Sequence, residues 1–226
     1  MDSSNLLHFV DVPVIQSNVS ASLGVVLGDI ESRMPKGHQY SAQDKVTWAH
    51  ETTHGINNSV RNANRKSSSR INAFYVLDGK ALILDEPPIK ISDIAGDIPV
   101  ILRGDNTYNL YVIKQQKDWN DIPLYLFDEA SAYTNGALTR TDLKISGFNS
   151  ETQFMWELLI YSSYVAIKAG LPKVNACLYY FLNRASVTTY SSSNIQNVDD
   201  YLAKVKSTND LMQFWKSIGF RFLDNV

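Results

Sequence analysis

The periodicity of the apolar residues changes near Trp119, and this change limits the fold more than any other feature of the chain. Between residues 71 and 113, short apolar runs are separated by turn signals such as Asp-Gly and Pro-Pro, a pattern typical of β-strands. After Trp119 the apolar residues recur at helical spacing up to residue 222. The sequence therefore predicts an α+β fold, in which a mixed β-sheet N-terminal lobe precedes a helical C-terminal lobe.

Short apolar runs in the first half of the chain predict strands around one helix. The glycine-bounded run 23–30 reads as a strand whose edge could receive a substrate chain by strand addition. The helix should begin at Ser41, because Ser41 and Asp44 have the spacing of a capping box. Further strands are predicted at residues 71–79, 80–86, 98–104 and 108–113, with a hairpin turn at Asp78-Gly79. In the second half, helices are predicted at residues 124–138, 154–169, 174–184, 198–206 and 211–222.

Length and composition predict one folded domain. A chain of 226 residues can bury roughly 70% of its unfolded surface. Its hydrophobic content of 44% excludes an intrinsically disordered chain. We expect residues 1–226 to form a single domain, with residues 1–118 as the β-rich lobe that carries the helix and residues 119–226 as the helical lobe.

Charge and hydropathy exclude several classes of partner. The net charge of −2 argues against a dedicated nucleic-acid binder, which usually has a strongly basic surface. The longest apolar run is too short for a membrane span, which needs about 18 residues, so we expect no membrane partner. Residues 1–12 lack the features of a signal peptide. A charged fraction as low as 19% is commoner among proteins outside the cytosol, but it does not assign a compartment.

The single cysteine and the basic run 61–70 both have a simple structural interpretation. Cys177 cannot form an intramolecular disulfide or a cysteine-rich zinc site, and its apolar surroundings predict a buried, inert thiol. The run 61–70 is polar and has no periodicity, which predicts a solvated loop. Its four cations leave a contact with phosphate or nucleic acid as the alternative.

His50, Glu51 and His54 form an H-E-x-x-H motif inside the predicted helix. Residues four apart share one helix face, so the two imidazoles can meet one ion at the ~2.0–2.1 Å that zinc prefers. Glu51 projects beside that ion and could take a proton from an activated water. The alternative is a pair of surface histidines beside an acid. His38, in the turn before the helix, could serve a metal or substrate, or could be an exposed loop histidine.

A catalytic zinc needs a third protein ligand, and Glu129 is the best candidate. No histidine follows His54, and the chain has only six glutamates. Glu129 lies among apolar and small residues, where a carboxylate needs a partner such as a metal. The alternatives are that Glu129 faces solvent from an amphipathic helix, or that another glutamate such as Glu157 takes the role.

The motif and the helix around Glu129 together resemble the gluzincin type of zinc metallopeptidase. The resemblance covers residues 46–58 and 124–137 only. It implies a zincin-like fold, one catalytic zinc bound by His50, His54 and Glu129, and hydrolysis of a peptide or protein substrate with Glu51 as general base. A catalytically inactive binding or effector protein on the same scaffold is the alternative.

The resemblance also suggests supporting residues around the metal. Many members of the group carry an acid four residues after the second histidine or four after the ligand glutamate, whereas this chain has Asn58 and Tyr133 there. We therefore expect Asn58 and Tyr133 to orient the ligands, with the Tyr133 hydroxyl on the imidazole of His50. Tyr125, four residues before Glu129, is expected to donate to the oxyanion that forms during hydrolysis.

Overall fold

The computed structural model is mixed α+β, 61% helical with a small antiparallel sheet, and describes residues 6–38, 40–65, 67, 69–147, 149–192 and 196–222. In chain order its strands and α-helices are β1 (His8–Asp11), α1 (Gly24–Ser32), α2 (Lys45–Asn64), β2 (Ile71–Tyr75), β3 (Lys80–Asp85), α3 (Ser92–Ala95), α4 (Gln116–Trp119), α5 (Tyr125–Asp142), α6 (Ser150–Ala169), α7 (Pro172–Tyr190), α8 (Gln196–Lys206) and α9 (Asn209–Ser217). Short 3-10 helices lie at Ala21–Leu23 and Val100–Leu102, and a π-helix lies at Tyr108–Lys114. The α+β prediction is confirmed.

The sheet has the order β1-β3-β2 and is antiparallel throughout. The predicted hairpin between β2 and β3 is present, with Asp78 and Gly79 both at positive φ. Alternate strand residues face two different hydrophobic clusters. Ala73 and Tyr75 pack with α1 and α2, whereas Phe74 packs with α5, α6 and α7. The sheet is therefore covered by helices on both faces.

The predicted strand at residues 23–30 is wrong, because this segment is α1. Leu27 and Ile30 are buried against α2, while Val25 is 78% exposed, so the burial follows a helical period. The carboxylate of Asp142 accepts the backbone N–H groups of Val25 and Val26 at 2.7 and 3.0 Å. A residue 116 positions away in the chain thus satisfies the orphan donors at the start of this helix.

The predicted strands at residues 98–104 and 108–113 are also wrong. The first contains a 3-10 helix, and the second lies in the π-helix. Tyr111 and Val112 are buried, whereas Leu110 and Ile113 on either side of them are exposed, which fits a helical period and not the alternation of a strand. The described part of residues 1–118 consequently contains more helix than strand.

The two helices that place the candidate site, predicted from Ser41 and at residues 124–138, are α2 and α5. The motif helix α2 begins at Lys45, and its N-cap is Asp44 instead of Ser41, since the Asp44 carboxylate accepts the N–H of Val46 at 3.0 Å. The helix predicted at 154–169 ends at Ala169, followed by Gly170 in the left-handed conformation.

Cys177 is buried with a free thiol, as predicted. Among the described helices, none combines the length and hydropathy that crossing a membrane requires.

Candidate metal centre

Helices α2 and α5 pack together and bring three potential metal ligands to one point. The Nε2 atoms of His50 and His54 lie 3.0 Å apart, and the Oε2 atom of Glu129 lies 3.6 and 3.5 Å from them. A tetrahedral ion at ~2.0–2.1 Å from each ligand would keep its ligands about 3.3 Å apart. The three atoms form a triangle of nearly this size, so the group could hold a metal ion.

The burial of Glu129 also fits a metal. Glu129 is 7% exposed, and its Oε2 is buried without a hydrogen-bond partner in the described part of the chain. A buried carboxylate oxygen without a partner is costly, and a cation would remove that cost. The side chain of His54 is 27% exposed to solvent, so an ion could reach the group from that side.

Asp128 orients His54. Its Oδ1 lies 2.6 Å from Nδ1 of His54, so a proton on Nδ1 leaves the Nε2 lone pair directed at the ligand group. Asp128 is itself buried and held by two residues of α2. The Asn57 amide donates to Oδ1 at 3.0 Å, and Arg61 Nη1 lies 3.5 Å from Oδ2. A carboxylate behind a ligand histidine is common in metal sites, and here the acid precedes the ligand glutamate by one residue.

The two histidines differ in their protonation. Burial, and then the neighbouring His54, lowers the pKa of His50 to about 3, so its ring is neutral at pH 7. Burial also acts to lower the pKa of His54, but the charge and hydrogen bond of Asp128, followed by Glu129, outweigh it and raise that pKa well above its usual value. A cation must therefore displace a proton from His54 to bind.

His38 packs directly on the motif helix. A Cβ added at Gly55 would lie 2.8 Å from ring carbons of His38, so only glycine leaves room for this contact. The His38 ring is half-buried, and its Nε2 has no hydrogen-bond partner within the described residues. His38 is thus a packing neighbour of the helix turn after Glu51, and it is not among the three ligands.

Tyr133 contacts His50 with its ring, while its hydroxyl is paired elsewhere. The rings of Tyr133 and His50 meet edge-on with centroids 4.4 Å apart, and the Tyr133 hydroxyl lies 2.9 Å from that of Tyr111. This differs from the predicted hydrogen bond to His50. Burial raises the pKa of Tyr111, and the nearby charge of Glu129 raises it further, so this hydroxyl stays protonated and able to donate.

Tyr125 and Asn58 lie on the Arg61 side of the site. Tyr125 stacks on Trp119 at 4.9 Å, and the Arg61 guanidinium lies 5.0 Å above its ring. Asn58 is exposed and accepts a hydrogen bond from Arg61 at 2.9 Å. Neither residue has a described contact with the three ligands, which differs from the roles predicted for them.

Glu157, the alternative ligand, and Glu86 have separate partners. Glu157 accepts hydrogen bonds from Thr107 at 2.5 Å and Gln153 at 2.7 Å. Glu86 accepts the backbone N–H of Leu124 at 3.1 Å. Neither joins the His50–His54 group in the described chain.

Sequence reasoning missed Asp128 and Tyr111. The signal for Asp128 was its position beside Glu129 in an otherwise apolar segment, because a second buried acid also needs a partner. Tyr111 had no such signal, since its segment has the pattern of a strand.

Comparisons of this chain with protein-family models, curated proteins and solved structures found no match.

Proposed function

We propose that this protein is a zinc-dependent peptidase that hydrolyses peptide bonds, with His50, His54 and Glu129 as the ligands of one catalytic zinc. The observation that carries the proposal is the near-equilateral triangle of two imidazole nitrogens and one carboxylate oxygen. Two histidines and one glutamate are a ligand set used by catalytic zinc, which keeps a further position open for water or substrate.

Bound zinc would supply Lewis-acid activation of the attacking water and of the scissile carbonyl. Glu51 is half-buried and follows His50 on the helix. In the proposed mechanism a carboxylate oxygen of Glu51 accepts the proton of the attacking water and then delivers it to the leaving amine. Asp128, by holding a proton on Nδ1 of His54, would leave the Nε2 lone pair of that ring available to a bound zinc.

The Tyr111–Tyr133 pair replaces Tyr125 as the proposed oxyanion donor. The two hydroxyls share one hydrogen bond, so only one of their two protons is used between them. The centroid of the Tyr133 ring lies 4.4 Å from that of His50, and burial, followed by the charge of Glu129, raises the pKa of Tyr111, which supports a position beside the ligand group. A tyrosine hydroxyl held in this position would stabilise the negative charge that develops on the carbonyl oxygen during hydrolysis.

The decisive experiment is digestion of a peptide library with and without chelator, read by mass spectrometry beside the metal content of the protein. Cleavage that disappears with chelator and returns with zinc supports the proposal. Bound zinc without cleavage would favour the binding or effector protein instead. A protein that binds no zinc contradicts both.

A further inference from the structure

The basic run that follows the motif does not form a solvated loop throughout. Arg61 lies within α2, Arg65 caps its C-terminal end, and Arg70 precedes β2. All three arginines line one cavity of about 190 Å³, together with Asn62, Glu86, Tyr125 and two isoleucines. Because Arg61 and Arg65 are four residues apart, they lie on the same side of α2. The chain then turns back and brings Arg70 to the same cavity.

Among the described residues, two of these three guanidinium groups lack a compensating charge, although Arg70 donates to the backbone oxygen of Asp121 at 3.5 Å. Arg61 contacts Asp128 at 3.5 Å and Asn72 at 3.0 Å, which fixes its position. Arg65 and Arg70 form no ion pair with any carboxylate of the described chain, although the whole protein has a net charge of −2. Like charges that converge in this way repel one another, and an anion between them would reverse the effect.

The one acid that lines the cavity does not oppose an anion at neutral pH. Burial raises the pKa of Glu86 to about 8, so its carboxyl group is mostly protonated at pH 7. Its Oε2 accepts the N–H of Leu124, while its Oε1 is buried without a partner among the described residues. With Glu86 neutral, the charges that the described residues bring to the cavity lining are those of the arginines.

We propose that the cavity lined by Arg61, Arg65 and Arg70 binds a phosphate group, as inorganic phosphate or a small phosphomonoester. Guanidinium forks match the oxygens of phosphate and bind them in pairs of parallel hydrogen bonds. The volume favours a small ligand, since sites for drug-sized molecules measure about 300–1,000 Å³. This site is separate from the metal ligands, and its occupation does not depend on peptidase activity.

The test is calorimetric titration of the full chain with inorganic phosphate at low salt. We expect saturable binding that weakens as salt rises, and the Arg65→Gln/Arg70→Gln double variant should lose roughly ten- to hundred-fold in affinity. Arg61 is left in place because it holds Asp128 and Asn72. The control is Lys80→Gln/Lys117→Gln, which removes the same charge from two exposed lysines elsewhere.

Four results would overturn the proposal. The first is no binding up to about 10 mM phosphate, a concentration well above that expected for a specific site. The second is equal weakening by the lysine control, which would reduce the effect to net charge. The third is an affinity for a short single-stranded oligonucleotide that is more than about ten-fold higher than the affinity for phosphate or a sugar phosphate. The site would then bind nucleic acid. The fourth is binding that the arginine changes leave intact, because the phosphate would then be held elsewhere, for example at a metal.

Discussion

At the scale of single residues, Asp128 links the two helices of the site. It hydrogen-bonds His54 and is held by Asn57 and Arg61, and all three of these partners belong to α2. Glu129, the next residue, has its Oε2 atom 3.6 and 3.5 Å from the Nε2 atoms of His50 and His54. In the proposed site the two adjacent acids of α5 therefore have different tasks, since Glu129 would supply a ligand atom and Asp128 orients His54.

We predict that Glu51→Gln keeps the metal and lowers peptide hydrolysis roughly 10²–10⁴-fold, because the amide has the shape of the acid but cannot accept the proton. Activity is measured as kcat on a peptide identified in the library digest, and metal content is measured on the same sample. Full activity in this variant would reject Glu51 as the base.

Glu129→Ala should release the metal, because it removes one of the three atoms of the ligand triangle. The matched control is Glu157→Gln, which changes another buried glutamate of the neighbouring α6 without touching the site. Metal content by elemental analysis decides between them. If Glu157→Gln empties the site and Glu129→Ala does not, the ligand assignment is wrong.

Asp128→Asn should weaken metal binding roughly 10–100-fold while leaving the three ligands in place. The pKa of His54 should fall at the same time, since the charge of Asp128 helps to raise it. Zinc titration and NMR of the His54 ring measure the two effects. Asn58→Ala is the control, because its side chain is exposed and contacts Arg61 but no ligand. Equal effects from both variants would contradict the role given to Asp128.

At the scale of the elements, the contact between α2 and the turn before it depends on one glycine. Glycine inside a helix costs about 1 kcal/mol relative to alanine, yet Gly55 lies in the middle of α2. The ring of His38 fills the space that a Cβ would need. Close packing of His38 on the motif helix therefore outweighs helix propensity at this position.

We predict that Gly55→Ala lowers the free energy of unfolding, because the new methyl group displaces His38. The same substitution in a His38→Ala background should raise it by up to about 1 kcal/mol, since only the helix propensity then remains. Chemical denaturation of the four proteins of this cycle gives the interaction energy. If Gly55→Ala has the same effect in both backgrounds, His38 does not constrain the helix.

At the scale of the whole molecule, the sheet separates two hydrophobic clusters, and α2 and α5 meet beside it. Glu86 follows β3 and accepts the N–H of Leu124, the N-cap residue of α5, so it joins the sheet to the helix that carries Glu129. Its burial makes the stability of the fold depend on pH.

Stability should fall as pH rises from about 4.5 to about 8, relative to a Glu86→Gln variant. The folded state keeps the Glu86 proton up to a pKa of about 8, whereas the unfolded state releases it near 4.5. The contribution is therefore complete below pH 4.5 and lost as pH approaches 8, with a slope of at most about 1.4 kcal/mol per pH unit. Urea denaturation of both proteins across this range measures the difference, and parallel pH profiles would contradict it.

Local periodicity was enough to predict part of the fold and of the site. His50 and His54 share a face because a helix turns once in about 3.6 residues, and Asp78-Gly79 closes a hairpin because glycine tolerates positive φ. The helices after Trp119 followed from the same kind of pattern. Each of these features depends on residues only a few positions apart, so the sequence alone is enough to predict it.

Only the tertiary structure decided the rest. α1 was mistaken for a strand because Asp142, more than a hundred residues away, satisfies the start of the helix. The Asp128–His54 contact spans 74 residues, and the Tyr111–Tyr133 contact needed a π-helix in a segment with the composition of a strand. Short apolar runs fit either structure, and the packing partners that choose between them are distant in the chain. The sequence by itself thus determined the motif and its helix, whereas long-range packing determined what surrounds the ligands.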